Sequence, residues 1–382
     1  MAGQSNNSIP PLTEHIHCSL CEHPGMIVVG QVVRYGHKVR NVVCERCGLS
    51  YISPRPSLAD MADFYRREYR AEHEVPVRLE NGAIVEKGTS EHQETKNEKT
   101  RIQAHNAAVA GGTKEGSRVL EIGCQDGATL RLMMEQLNIE AIGIEPDVNE
   151  ATIAAERGVS VYRGVFEDFD PGEKLFDQIQ MFQVLEHMHA PLETLVRIRA
   201  LLKPTGRLVV EVPNLSQPYG ALEENFFQLP HLYNFNLNTL TAFFRRAGLH
   251  VLGWRSDQAL TIAGEVDPAD SSPVPFQPEM LPLEHENGHW VATRLATYAK
   301  LEKAMHTLKN HSTIHSESEF MALFSKSAFP EHLSRSINEA TELLLRFGRP
   351  DLRTKLLQSA ISGPHSNAVM QQCEDLLSRK PS

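Results

Sequence analysis

The hydrophobic pattern of the chain changes period several times, and each change predicts an element. Between Ile27 and Val43 apolar and polar residues alternate as they do in β-strands. After Ser57 the residues Leu58, Met61, Phe64, Tyr65 and Tyr69 suit a helix, with Asp60 at a capping-box spacing from Ser57. Residues 72–92 are polar and irregular, which predicts a loop, and 93–110 read as a helix. From Val119 short apolar strands alternate with amphipathic helices. Val119–Ile122 predicts a strand, Ala128–Leu137 a helix, Ile142–Glu145 a second strand and Val159–Tyr162 a third. Leu192, Leu195, Ile198 and Leu202 put one apolar face on a helix over Pro191–Leu202, and Pro204 and Gly206 stop it. Five prolines at 268, 273, 275, 278 and 282 make 264–288 read as a linker. Beyond it the pattern is helical over Leu295–Leu308, Glu317–Phe324, Pro330–Phe347, Asp351–Ile361 and Asn367–Ser378, without a repeat period.

Two carboxylates give the strand–helix region its chemistry. The stretch Val119–Gly127 reads V-L-E-I-G-C-Q-D-G, so the first strand ends in Glu121 and a glycine turn opens the helix. Ile142–Pro146, I-G-I-E-P, ends the second strand in Glu145. This is the layout of a nucleoside-binding βαβ unit, in which glycines allow close approach of the backbone and the second acid reaches ribose hydroxyls. A pyrophosphate loop prefers G-x-G-x-x-G and is repelled by a carboxylate at Glu121. The same carboxylate suits a ligand that carries an ammonium and a sulfonium, which favours S-adenosylmethionine over NAD.

Residues 118–255 resemble a class I S-adenosylmethionine-dependent methyltransferase. The family's first motif, roughly [DE]-x-G-x-G-x-G, is met by Glu121, Gly123 and Gly127, with Gln125 in place of the middle glycine. Phe176–His187, F-D-Q-I-Q-M-F-Q-V-L-E-H, resembles the fourth strand and the segment after it. Lys203–Gly206 matches the family's turn, Arg207–Val212 its fifth strand and His231–Leu249 its late segment. The resemblance implies an α/β fold with a Rossmann-like seven-stranded sheet. It also implies roles. Glu121 would face the methionyl ammonium, Gly123 and Gly127 would let the backbone wrap the methionyl part, and Glu145 would accept both ribose hydroxyls. Adenine would sit by Val165, Phe166 and Glu167, and Gln183 beside the methionyl or sulfonium part. Cys124 is expected in the cofactor loop as a small spacer, not a nucleophile. His187 and His231 are the main candidates for a base that takes a hydroxyl proton, with His189 behind them. Glu186 is expected to start a helix. Phe226, Phe227 and Tyr233 would wall an acceptor pocket or fill core.

Six cysteines include two C-x-x-C pairs, Cys18/Cys21 and Cys44/Cys47, spaced to complete a tetrahedral zinc site. Four thiolates leave no open position, so the metal is expected to be structural, and His15, His17 and His23 to lie on the surface. Gly48–Pro56, G-L-S-Y-I-S-P-R-P, resembles the end of the zinc ribbon that many bacterial methyltransferases carry before a helix of the type F-Y-x-x-x-Y. That helix packs against the domain or forms a lid.

The organisation expected is a tail (1–11), a zinc ribbon (12–56), a helical connector (57–110), the methyltransferase domain (111–263), a linker (264–288) and a helical domain (289–382). Net charge is −10 over 382 residues, which disfavours a nucleic-acid partner. No apolar run is long enough to span a membrane and the polar N-terminus is no secretory signal, so a cytoplasmic location is expected. The acceptor is expected to be a small molecule or a sugar unit, methylated at oxygen. Alternatives are a sugar C-methyltransferase, a protein methyltransferase and a non-catalytic scaffold. The C-terminal helices are expected to pack on the catalytic domain, on a protein partner or on a second copy.

Overall fold

The computed structural model describes residues 10–31, 39–67, 77–78, 84–85, 90–173, 175–256, 259–267, 274–282, 286–311, 324, 330–346, 350–361 and 367–378. The tail before residue 10, Tyr69, Pro268, Pro273, most of the loop at 72–92 and the helix expected at Glu317–Phe324, save Phe324 itself, lie outside them.

The N-terminal module begins with β1 (Leu12–Glu14) and continues through β2 (Met26–Gly30), β3 (Asn41–Cys44), β4 (Ser50–Ile52) and β5 (Arg55–Pro56). β2, β3 and β4 pair antiparallel in order, and β1 pairs with β5. The helix Leu58–Arg67 follows, capped by Ser57, whose Oγ accepts from the Asp60 N–H at 3.2 Å. A small antiparallel pair, β6 (Val77–Arg78) and β7 (Ile84–Val85), precedes the helix Ser90–Gly111.

The central sheet is built from β8 (Arg118–Ile122), β9 (Glu140–Glu145), β10 (Ser160–Arg163), β11 (Phe176–Phe182) and β12 (Leu202–Pro213). After the insertion strand β13 (Tyr233–Asn234), β14 (Leu249–Ser256) and β15 (Ala259–Val266) complete it. Its order is β10-β9-β8-β11-β12-β15-β14, with β15 antiparallel to both neighbours. This is the seven-stranded, doubly wound sheet that the resemblance implies. The strand order reverses between β8 and β11, and ligands of such sheets bind at the carboxyl ends beside that reversal. The inner strands are buried on both faces, and so read as near-continuous apolar runs. β11 breaks the rule with Gln178 and Gln180, both fully buried.

Among the boundaries that differ from the sequence reading, two bear on the architecture. Lys203–Gly206 belongs to β12 as an irregularity, since Phe176 pairs with Leu202 but Gln178 pairs with Arg207. The linker starts late, because β15 runs to Val266 and holds the first residues assigned to it. The rest is partly docked: Arg245 donates to the carbonyls of Glu279 and Met280 at 3.1 and 2.9 Å.

The ribbon is not a separate bead. β13, from the segment after β12, adds to the ribbon sheet by pairing with β4, Tyr233 opposite Tyr51 and Asn234 opposite Ser50. Buried Arg55 donates to the His189 carbonyl at 2.7 Å and to the Tyr233 hydroxyl at 3.0 Å. The helix Gly288–His311 ties the C-terminal region to the same place. Its Val291, Leu295 and Tyr298 share a core with Val43, Leu215, Leu222, Phe226 and Phe227. Further along, Leu301 and Met305 enter a second core with the helices Pro330–Arg346, Pro350–Ile361 and Asn367–Ser378.

Candidate functional site

The turn after β8 is made of left-handed backbone. Gly123, Gln125 and Gly127 have φ of 73°, 48° and 69°. A Cβ on Gly123 would come 2.6 Å from Val184 Cγ2, and one on Gly127 2.8 Å from Ala154 Cβ. Gln125 takes the conformation that the motif assigns to glycine, at a cost of roughly 1 kcal/mol. Its N–H donates to Glu145 Oε2 at 2.9 Å, and the Asp147 N–H donates to Glu145 Oε1 at 2.9 Å. Glu145, at the end of β9, thus ties two loops together. Burial pushes its carboxyl above the ordinary range against those two bonds. Cys124 is buried, and its Sγ lies 2.4 Å from where a Cβ on Gly143 would stand, so the two residues need each other's size. Burial and the neighbouring Glu121 and Glu145 hold its thiol well above the ordinary value, which suits a spacer.

Glu121 ends β8 in the interior. Gln180 Nε2 donates to its Oε2 at 2.7 Å, and Gln178 Nε2 donates to Gln180 Oε1 at 2.6 Å. The Thr113 hydroxyl donates in turn to Gln178, so the buried glutamines of β11 form one connected chain. Burial pushes the Glu121 carboxyl up to about 8, against the Gln180 bond and with help from the Asp126 and Glu145 charges. A cation placed beside it would recover the anion. Asp126, which the sequence reading did not single out, anchors the turn: Lys96 and Arg157 reach its carboxylate at 3.1 and 3.0 Å. Burial pushes its pKa up, but those cations outweigh it and hold the carboxyl below the ordinary range.

Across the reversal, Gln183 follows β11 with φ 56°. Its N–H donates to the Glu211 carbonyl at 2.8 Å, while Gln103 Nε2 donates to Glu211 Oε1 at 2.9 Å. Phe166 turns its ring into the core, with the Arg197 guanidinium 5.1 Å from its centroid, and Val165 is the exposed neighbour. Any adenine contact from Phe166 is therefore through its backbone. Phe226, Phe227 and Tyr233 are fully buried, the first two among ribbon and helix residues, so they fill core.

The two histidines expected as bases come together although far apart in sequence. Their rings stand edge to face, with centroids 5.0 Å apart. His187 Nδ1 lies 2.9 Å from the Pro230 carbonyl, which can only accept, so Nδ1 carries the proton and a neutral ring keeps its lone pair on Nε2. That Nε2 is 3.7 Å from Glu186 Oε1. Glu186 is fully buried in the short turn Leu185–His187 and starts no α-helix. Burial pushes its carboxyl up to about 8. One ligand atom each from Glu186, His187 and His231 falls within 4.8 Å of the others. His189 has other work. Its Nε2 pairs with the Pro56 carbonyl at 3.1 Å and its own carbonyl accepts from Arg55, which fastens the ribbon.

All four ribbon cysteines are buried, with Cys18 and Cys47 sulfurs 3.4 Å apart and Cys21 and Cys44 sulfurs 3.5 Å apart. The four sulfurs lie within 4.8 Å of one another. Tetrahedral zinc with bonds near 2.3 Å needs sulfurs about 3.8 Å apart, so the donor set fits that ion. His15 and His17 are exposed, and His23 faces Glu45 at 3.7 Å.

Comparison with known proteins agrees with this geometry. Residues 94–253 match the family model described as a methyltransferase domain. The C-methyltransferase NovU of Streptomyces niveus is 29% identical over 189 residues, covering 46% of this chain and 44% of that protein. A ubiquinone biosynthesis O-methyltransferase of Rhodopseudomonas palustris is 36% identical over 114 residues, covering 28% of this chain and 44% of that protein. A tRNA U34 carboxymethyltransferase of Methylococcus capsulatus is 28% identical over 144 residues, covering 35% and 44%. The chain thus spans a little under half the length of these curated relatives. The central region carries a methyltransferase domain.

Proposed function

We propose that the chain transfers a methyl group from S-adenosylmethionine to an oxygen of a small-molecule or sugar acceptor. The observation that supports this best is the paired carboxylates at the ends of β8 and β9. Glu121 is buried where a cation would recover its charge, and Glu145 is fixed by two loop amides. Each oxygen of Glu145 uses one lone pair on the backbone and keeps another for a ribose hydroxyl. The methionyl ammonium faces Glu121, Gly123 and Gly127 admit the methionyl backbone, and adenine lies by 165–167.

Transfer is an in-line displacement. The acceptor oxygen forms a bond to the methyl carbon as the carbon–sulfur pair returns to sulfur, leaving a neutral thioether. The protein has to align three atoms and exclude water. His187 and His231, held together beyond the reversal of the sheet, stand on the acceptor side, where the lone pair of His187 Nε2 can take the hydroxyl proton. The four cysteines hold a structural zinc ion. Among the named relatives are a C-methyltransferase and an O-methyltransferase, so a carbon acceptor is the second reading. No helix among the described residues is long and apolar enough to cross a membrane.

Calorimetric titration with S-adenosylmethionine and S-adenosylhomocysteine tests the cofactor half, with binding of both expected. No binding by a folded, zinc-loaded chain would favour a scaffold instead. With the acceptor found by screening sugar nucleotides and hydroxylated small molecules, His231→Ala should lose turnover by about 100-fold or more while S-adenosylhomocysteine affinity persists. Unchanged turnover would remove His231 from the reaction.

A further inference from the structure

The Glu186 carboxylate is a buried acid that the fold does not explain. It is fully buried, and neither oxygen accepts a hydrogen bond from another residue. A buried carboxylate with no hydrogen bond from another residue is expensive, whether it is ionised or neutral. Sequence position does not require one there, because the turn it occupies is too short to need a capping acid. What the carboxylate has nearby is imidazole: His187 Nε2 at 3.7 Å, with His231 inside the same 4.8 Å cluster. His187 is also oriented as metal-binding histidines are. Its Nδ1–H donates to the Pro230 carbonyl, which fixes the tautomer and leaves Nε2 free of a proton on the side of Glu186.

We infer that Glu186, His187 and His231 form a binding site for a divalent transition cation, separate from the four-cysteine zinc site. Two imidazoles and one carboxylate are the donor set that takes manganese, iron(II) or zinc in its open-coordinated form. Three protein ligands leave positions for acceptor oxygens, whereas the four cysteines fill the shell of their ion. This rests on the methyl-transfer reading above and revises it at one point, the fate of the acceptor proton. The acceptor would be a molecule with oxygens that chelate, such as a vicinal diol or a hydroxyl beside a carbonyl. His187 and His231 would then act as ligands, and the acceptor proton would leave to solvent from a hydroxyl acidified by the cation.

The test uses the full chain with its ribbon zinc retained and Mn2+ as the probe, a hard ion that does not displace zinc from thiolates. Bound Mn2+ is counted by the loss of its free electron-paramagnetic-resonance signal. S-adenosylhomocysteine affinity is measured on the same samples. One equivalent of Mn2+ is expected, weakened at least about tenfold in the near-isosteric Glu186→Gln and separately in His231→Asn, with S-adenosylhomocysteine affinity retained in both. No Mn2+ binding by the wild-type chain, and no second equivalent of Zn2+ by mass spectrometry, would overturn the inference. So would undiminished Mn2+ binding in both folded variants. Loss of S-adenosylhomocysteine binding in the wild-type chain would count against the methyltransferase reading alone.

Discussion

The proposed cofactor cradle and the proposed acceptor side are assembled from opposite kinds of chain. Glu121, Gly123, Gln125, Gly127 and Glu145 all belong to one strand–helix–strand unit, and their mutual bonds are local. His187 and His231 meet only because the segment after β12 is stitched into the ribbon as β13, which pairs with β4, while Arg55 clamps the His189 loop. On the proposed reading the cradle would stand without the ribbon and the acceptor side would not. The ribbon holds the segment around His231 by backbone pairing, which is indifferent to side-chain identity.

The largest test of this contrast is Cys44→Ser. Losing one zinc ligand should destabilise the N-terminal module by several kcal/mol, in the order expected for a structural zinc site. Metal analysis should report the missing ion. Amide exchange should rise at 228–235 as well as in the ribbon, with S-adenosylhomocysteine affinity little changed. Exchange confined to the ribbon would mean that the acceptor side stands alone.

Glu145→Ala cuts at the cradle itself. Affinity for S-adenosylhomocysteine should fall about 10- to 100-fold through lost charge-assisted bonds to ribose, with the circular dichroism spectrum unchanged. Full affinity would sink the ribose assignment.

A pH series separates the buried acids. Glu121 ionises near 8 in the folded chain but at 4.5 when solvated, so the folded form holds the extra proton across that window. Its contribution to stability is fully present below about pH 4.5 and is lost as pH rises through about 8. The ligand-free wild type should thus lose more stability than Glu121→Gln between pH 5 and 8, read from denaturant melts, and S-adenosylmethionine should narrow the gap. Parallel pH profiles would show that Glu121 is not the buried acid described. The smallest effect is Gln125→Gly, which relieves the left-handed side chain and should gain no more than about 1 kcal/mol in the same melts. A clear loss would mean that the Gln125 side chain supports the turn.

Much of this was legible in the chain because the physics is local. The helices Ala128–Leu137 and Asn367–Ser378 have the bounds that periodicity predicts, since an amphipathic stripe and its stop signals lie within the helix itself. The C-x-x-C pairs announced a four-thiolate cluster because each pair is its own knuckle. Glu186 reads as a helix-start carboxylate; it lies in a three-residue helical turn, and its complete burial carries no mark in the sequence. Phe226, Phe227 and Tyr233 were left between pocket and core for the same reason, as an aromatic residue carries no sign of which surface covers it.

The sequence by itself determined the alternation of strands with helices from β8 to β12, the glycine turn, the two acids that end β8 and β9, and the cysteine cluster. All of these follow from spacings of a few residues. Only the tertiary structure decided that Gln125 can replace a glycine, that the ribbon and the catalytic domain share a sheet, and that His231 reaches His187 and Glu186. Those outcomes depend on contacts between segments distant in the chain, where loop closure and burial, not local preference, set the geometry.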